Sequence, residues 1–245
     1  MTSGHSIPIL TYHHTEQAPP KGFPMRSLWV TPSSFSAQMH WLARLGYTGL
    51  AMSDLMPYLR GEKKGKVVGI TLDDGYQSNV LHALPILKSH GFSATCYVVS
   101  GQLGQHNEWD KALGIAKAAL MSFEEMRTWA DEGMEVGSHT CSHANLSQLS
   151  LAEAGHELLQ SKSDLENLLQ KPVTQFCYPY GHFSPEHEAL VSQAGYEAAT
   201  TTHRGRACAT DRMTALPRVP VVRSTYAVQF LLKVLTHYED SKRLS

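Results

Sequence analysis

The sequence predicts an α/β protein with parallel strands gathered in one domain. Short apolar runs alternate with amphipathic segments about seven times along the 245 residues, the pattern of repeated strand–helix units. The run KVVGITLDD (66–74) is apolar almost to its end, as in a strand buried on both faces. No linker, low-complexity stretch or clear internal repeat divides residues 1–245, so they read as a single domain. A barrel and an open doubly wound sheet both satisfy these observations. No G-x-G-x-x-G follows the first strand and no P-loop occurs, which disfavours a nucleotide-binding sheet.

Taken in order, IPILTYH (7–13) reads as a strand and SFSAQMHWLARLG (34–46) as a helix closed by Gly46. A strand near Tyr47–Ala51 precedes a short helix, SDLMPYLRG, with Ser53 or Asp54 as its cap. After strand 66–74 come the helix SNVLHALPILKSHG (78–91), ended by Gly91, and the strand SATCYVVS (93–100). Residues 101–120 are polar, then Ala-rich, and suggest a loop with a helix. Ser122 with Glu125 and Ser150 with Glu153 have capping-box spacing and open two further helices, through Ala130 and to Gln170. Between these lies the strand GMEVGSHT (133–140). QFCYPYG (175–181) is a strand running into a turn, and Ser184-Pro185 start a helix that Gly195 ends. YEAATTT and LPRVPVV are the last strands, and a final helix is expected over about 225–239.

Composition excludes some functions. Hydrophobic residues are 42% and charged residues 18%, ordinary for a globular core. The 21 basic and 22 acidic residues form no like-charged block, so neither nucleic acid nor an anionic membrane is an expected partner. The cysteines, Cys96, Cys141, Cys177 and Cys208, show no C-x-x-C spacing and suggest no disulfide scaffold; Cys96 and Cys177 read as small core residues. MTSGHSIPIL lacks an export signal, and no apolar run of about 18 residues could span a membrane. As given, the chain is expected to be soluble and cytoplasmic, or of the envelope if a signal was trimmed.

The reactive side chains gather at the C-terminal ends of the strands. The end of the first gives His13 and His14, the third Asp73 and Asp74, the strand at 133–140 His139 and nearby His143, and QFCYPYG Tyr180. In α/β barrels that end of the strands carries the active site. The spacing of His139 and His143 in SHTCSH also suits two surface histidines, but it can converge both imidazoles on one ion. Zn²⁺ accepts two histidines and one carboxylate with a position left open. Asp73-Asp74 could supply that carboxylate and leave its neighbour as general base for a water activated beside the metal, the ion relieving their repulsion. On its own the pair also fits an Asx turn, with Gly75 at positive φ.

Taken together, these segments resemble the polysaccharide deacetylases with NodB homology, carbohydrate esterase family four. TLDDGY matches the first motif with Leu72 in place of phenylalanine, SHTCSH the second, and CYPYG the third, in the family's order over about residues 7–222. Tyr12-His13 and Tyr178-Pro179-Tyr180-Gly181 are closer to the PgaB/IcaB-like poly-N-acetylglucosamine deacetylases. The resemblance implies a distorted (β/α) barrel of about seven strands and metal-dependent hydrolysis of N-acetyl groups on an acetylated sugar. Alternatives within the fold are an O-acetyl esterase, an amide or formamide hydrolase, or a non-catalytic carbohydrate-binding relative.

It further implies that Asp74, His139 and His143 bind a divalent metal, most often Zn²⁺, and that Asp73 is the base. The backbone N–H of Tyr180 would bind the oxyanion, and Pro179 before it has no N–H to offer. His13 would be the acid. The third motif's arginine is replaced by Cys177, and Arg218 in LPRVP is the candidate to replace it. The family's late L-x-H histidine has its nearest match in Leu235-Thr236-His237, inside the expected final helix. Tyr76, Trp29 and Trp109 are candidates for stacking on sugar, and Tyr178 and Gly181 for lining the substrate site.

Overall fold

The computed structural model describes residues 6–243. Its strands are β1 (Ile9–Tyr12), β2 (His14–Thr15), β3 (Trp29–Val30), β4 (Thr48–Leu50), β5 (Val67–Leu72), β6 (Thr95–Val98), β7 (Glu135–Ser138), β8 (Gln175–Cys177), β9 (Ala198–Arg204) and β10 (Leu216–Pro220). The helices are α1 (Pro32–Arg44), α2 (Met52–Leu59), α3 (Leu84–Ser89), α4 (Phe123–Asp131), α5 (Leu151–Leu169), α6 (Pro185–Gln193) and α7 (Ala227–Leu235). Seven parallel strands close a ring in the order β1, β10, β9, β8, β7, β6, β5 and back to β1.

The ring is distorted by β4. Gly69 of β5 pairs with Ile9 across one edge and with Leu50 across the other, while β6 meets β5 only at Thr71 and Leu72. β4 therefore occupies the gap where β5 and β6 splay apart at their N-terminal ends, and Ser93 N–H donates to the Gly49 carbonyl at 3.1 Å. Directly after it, α2 packs Met52, Leu55, Met56 and Leu59 against Ile9, Val67 and Tyr97. Gly137 makes room for the Tyr97 ring, since a Cβ there would lie 2.5 Å from it.

The caps follow the sequence at Ser122–Glu125 and Ser150–Glu153, where both capping boxes form. Thr31 caps α1, with Pro32 at its first position, and the helix buries Phe35, Gln38, Met39 and Leu42 at helical spacing. α2 differs from expectation. It begins after Ala51, and its orphan N–H groups are served from other strands: Met52 by Thr95 Oγ1 at 2.8 Å and Ser53 by Glu135 Oε2 at 3.1 Å. The segment 101–120 holds a 3-10 turn, Glu108–Leu113, in place of an α-helix. The final helix stops at Leu235, so His237 lies beyond it, exposed and paired with Asp240. Glu239 behind it is fully buried, bound by Lys233 of α7 and Arg204 of β9.

Candidate active site and metal centre

β5 delivers Asp73 and Asp74 to the mouth of the barrel. Asp73 N–H still donates to the Tyr12 carbonyl at 3.0 Å, extending the β1–β5 ladder by one residue. Asp74 and Gly75 then both take left-handed conformations, each with φ 73°. For aspartate that conformation is uncommon and held by its surroundings. The reversal turns the two carboxylates toward different partners.

Asp74 faces the histidines. Its Oδ1 lies 3.3 Å from His139 Nε2 and 3.3 Å from His143 Nε2, and all three side chains are buried. Their ligand atoms fall within 4.8 Å of one another. His139 Nδ1 contacts the Cys177 carbonyl at 2.7 Å, which fixes the ring and leaves Nε2 toward Asp74. Burial opposes the charge of Asp74, yet hydrogen bonding to His139 and His143 holds its carboxyl well below the usual range. One buried carboxylate and two imidazoles around a common point fit a divalent metal.

The path from His139 to His143 is shaped by α5. Glu157 accepts from the backbone N–H of Cys141 at 2.8 Å and of Ser142 at 3.1 Å, pinning the turn. Thr140 (φ 65°) and His143 (φ 60°) are left-handed within it. The Cys141 thiol points back to the Glu157 carbonyl at 3.6 Å, away from the histidines. The Trp109 ring lies parallel to His143 at 4.5 Å, and Tyr180 meets it edge-on at 4.7 Å.

Asp73 faces Arg218. Arg218 Nη1 donates to Oδ1 and Nη2 to Oδ2, each at 2.7 Å, in a two-pronged clamp buried on β10. The guanidinium is fixed in turn by the Thr201 carbonyl at 2.8 Å, Thr71 Oγ1 at 3.1 Å and the Cys177 sulfur at 3.2 Å. Cys177 thus leaves space that the Arg218 fork reaches from the neighbouring side of the barrel. Burial raises the Asp73 pKa, but the Arg218 charge and hydrogen bonds, with His13 and His139, outweigh it and hold the carboxyl low. His13 Nε2 stands 3.9 Å from Asp73 Oδ2 and keeps part of its surface open.

Asp73, Asp74, His13, His139, His143 and Arg218 all border one cleft of about 500 Å³. Tyr180, 40% exposed and left-handed at φ 61°, stands at its rim. Four residues expected to contact substrate have other tasks, wholly or in part. Tyr76 is buried and stacks on His14 at 3.6 Å, with Trp29 on the other face of that imidazole at 3.7 Å, so neither ring reaches the cleft. Gly181 is absent from the cleft wall; a Cβ there would meet Thr202 Oγ1 at 1.9 Å, so close chain approach requires glycine. Tyr178 touches the cleft with its ring, while its hydroxyl donates to the Thr214 carbonyl at 3.0 Å. Glu157 and Asp110, the latter also bordering the cleft, were not expected from the sequence: no motif or spacing marks either of them.

The sequence profile of the family described as polysaccharide deacetylase matches residues 60–199. YxkH of Bacillus subtilis (strain 168), assigned to polysaccharide deacetylases, is 31% identical over 217 residues, 88% of this chain and 71% of the relative. The chain belongs to the polysaccharide deacetylase family. The poly-beta-1,6-N-acetyl-D-glucosamine N-deacetylase of Staphylococcus aureus (strain MRSA252) is 27% identical over 173 residues; the match spans 68% of this chain but only 58% of that protein. Among solved structures, the Streptococcus pyogenes deacetylase PplD in complex with acetate superposes with a TM-score of 0.82 at 26% identity, covering 95% of this chain and 99% of that one. Its membership makes this family chain a carbohydrate deacetylase, a hydrolase that removes acetyl groups from polysaccharide. Among the described residues, no helix is long and apolar enough to cross a membrane.

Proposed function

We propose that this protein is a metal-dependent N-deacetylase acting on polymers of N-acetylglucosamine, with Zn²⁺ as its metal. The observation that carries the reading is the division of labour between adjacent carboxylates, Asp74 turned to two histidines and Asp73 clamped by Arg218. Asp74, His139 and His143 would hold the ion, which when bound supplies a Lewis acid that polarises the acetyl carbonyl and acidifies water.

Asp73 takes the proton from the attacking water. The Arg218 fork keeps the carboxylate ionised and aimed, since both of its oxygens are fixed. As the acetyl carbon becomes tetrahedral, the Tyr180 backbone N–H donates to the developing oxyanion, from a backbone already bent at φ 61°. His13, partly open to the cleft, protonates the leaving amine. Products are acetate and the free amine.

The test is acetate release by protein reconstituted with Zn²⁺, assayed against N-acetylglucosamine oligomers, acetylated xylan and small acetamides. Preferential turnover of the N-acetylglucosamine oligomers is expected. Turnover of xylan esters alone, or none on any acetylated sugar, overturns the reading.

A further inference from the structure

A carboxylate outside the machinery above shares the same cleft. Asp110 sits in the 3-10 turn Glu108–Leu113, beside Trp109, and is only 8% exposed. It forms no ion pair among the described residues, although every other buried carboxylate bordering this cleft has a cationic or imidazole partner. Burying a carboxylate without a counter-charge is unfavourable, and such groups gather where a ligand completes them.

The turn is built to present this group. Asn107, itself buried, spends its whole amide on the arrangement. Its Nδ2 donates to Asp110 Oδ2 at 2.8 Å and to the Ala116 carbonyl at 3.2 Å, and its Oδ1 accepts from Ala118 N–H at 2.7 Å. Asp110 N–H donates to the Asn107 carbonyl at 3.1 Å. One carboxylate oxygen is thereby fixed, and Oδ1 has no partner among the described residues. Burial also pushes the Asp110 carboxyl up, the direction expected of a charge lacking compensation.

We infer that Asp110 is a specificity-determining residue of the deacetylase cleft, its free oxygen accepting hydrogen bonds from hydroxyl groups of the sugar unit seated there. The inference rests on the reading that an acetylated sugar occupies the cleft. A carboxylate is an acceptor only, and hydrogen bonds to it are about twice as strong as neutral ones. Sugar hydroxyls are the donors that an N-acetylated pyranose offers in number. Trp109 next to it supplies an apolar face for the ring's C–H groups, so one short turn carries both contacts.

Calorimetric titration of the Zn²⁺-loaded protein with the N-acetylglucosamine tetramer tests this, alongside steady-state kinetics and elemental analysis. In Asp110→Ala, Kd and KM are expected to rise about tenfold, with kcat moving less than threefold and metal content holding at that of the unaltered chain. Asp110→Asn keeps the shape and one acceptor, and should recover part of the loss. Unchanged Kd, a loss confined to kcat, a loss of bound metal, or no tetramer binding by the unaltered protein overturns the inference. An unaltered protein that binds tetramer tightly but releases no acetate refutes the deacetylase reading and leaves the binding role of Asp110 standing.

Discussion

Asp73 and Glu239 are both buried carboxylates gripped by an arginine, one at the cleft and one behind the last helix. At Glu239 both oxygens are saturated: Lys233 Nζ lies 2.5 Å from Oε1 and Arg204 Nε 2.7 Å from Oε2. Glu239 is wholly shut off from solvent, and Lys233 is further tied to the Pro220 carbonyl at 2.8 Å. That network fastens α7 to β9 and the end of β10. Asp73 is clamped as tightly, but it borders open space, stands next to Asp74, and has His13 at 3.9 Å. The backbone differs as well. Asp74, His143 and Tyr180 all adopt left-handed φ, each at a conformational cost of about 1 kcal/mol or more. An ion pair serves chemistry where its surroundings leave one side unfinished, and serves architecture where they do not.

Substitutions at the two sites should separate these uses. The largest effect is expected from Asp74→Ala or His139→Ala, which should lose bound metal by elemental analysis and with it all measurable acetate release; retained stoichiometric metal would contradict the ligand assignment. Next, Asp73→Asn should keep the metal but lower kcat by about a thousandfold, the scale of a general base. Glu239→Gln should do the reverse. Its melting transition should report a destabilisation of about 3 kcal/mol, since two cations lose their counter-charge, while kcat per folded molecule and metal content stay level.

The smallest effect is expected from Arg218→Lys, which keeps the charge but loses the fork, with kcat falling about tenfold. Its pH profile is more telling. The folded carboxyl of Asp73 lies below its unfolded value of about 3.9. The pair's contribution to stability is therefore complete above about pH 4 and disappears as pH falls through the folded value. With a weaker clamp, burial gains ground and the Asp73 pKa rises, so the acid limb of kcat/KM should move to higher pH. A profile identical to that of the unaltered enzyme would show that Arg218 does not hold the base.

The legible parts of this molecule were those in which neighbours in sequence are neighbours in space. Asp73-Asp74 and His139 with His143 sit at strand ends, so a barrel brings them together once the strands are recognised. Arg218 could be singled out because it lies in the last strand while Cys177 occupies the place an arginine was expected. Tyr76 could not be placed the same way. An aromatic beside two acids fits a sugar platform as well as an interior stack, and only the position of His14 and Trp29 decides. The start of α2 is hidden from local sequence for a related reason: Thr95 and Glu135, which serve its N–H groups, are distant in the chain. The wedge of β4 and the Glu157 pins likewise carry no local period or motif.

The ring also has an order of delivery. Asp73, Asp74, His139 and His143 all fall within the stretch 60–199 that matches the family profile, whereas His13 and Arg218 lie on either side of it. Asp73 is thus flanked by residues from the ends of the chain's barrel, next to β1 and on β10, strands that pair directly at Leu10–Val219 and Thr11–Pro220. Synthesis from the N-terminus delivers Asp73, Asp74, His139 and His143 about seventy-five residues before Arg218, whose fork then clamps Asp73. Because β10 both pairs with β1 and carries Arg218, the closing of the ring and the clamping of Asp73 depend on one strand.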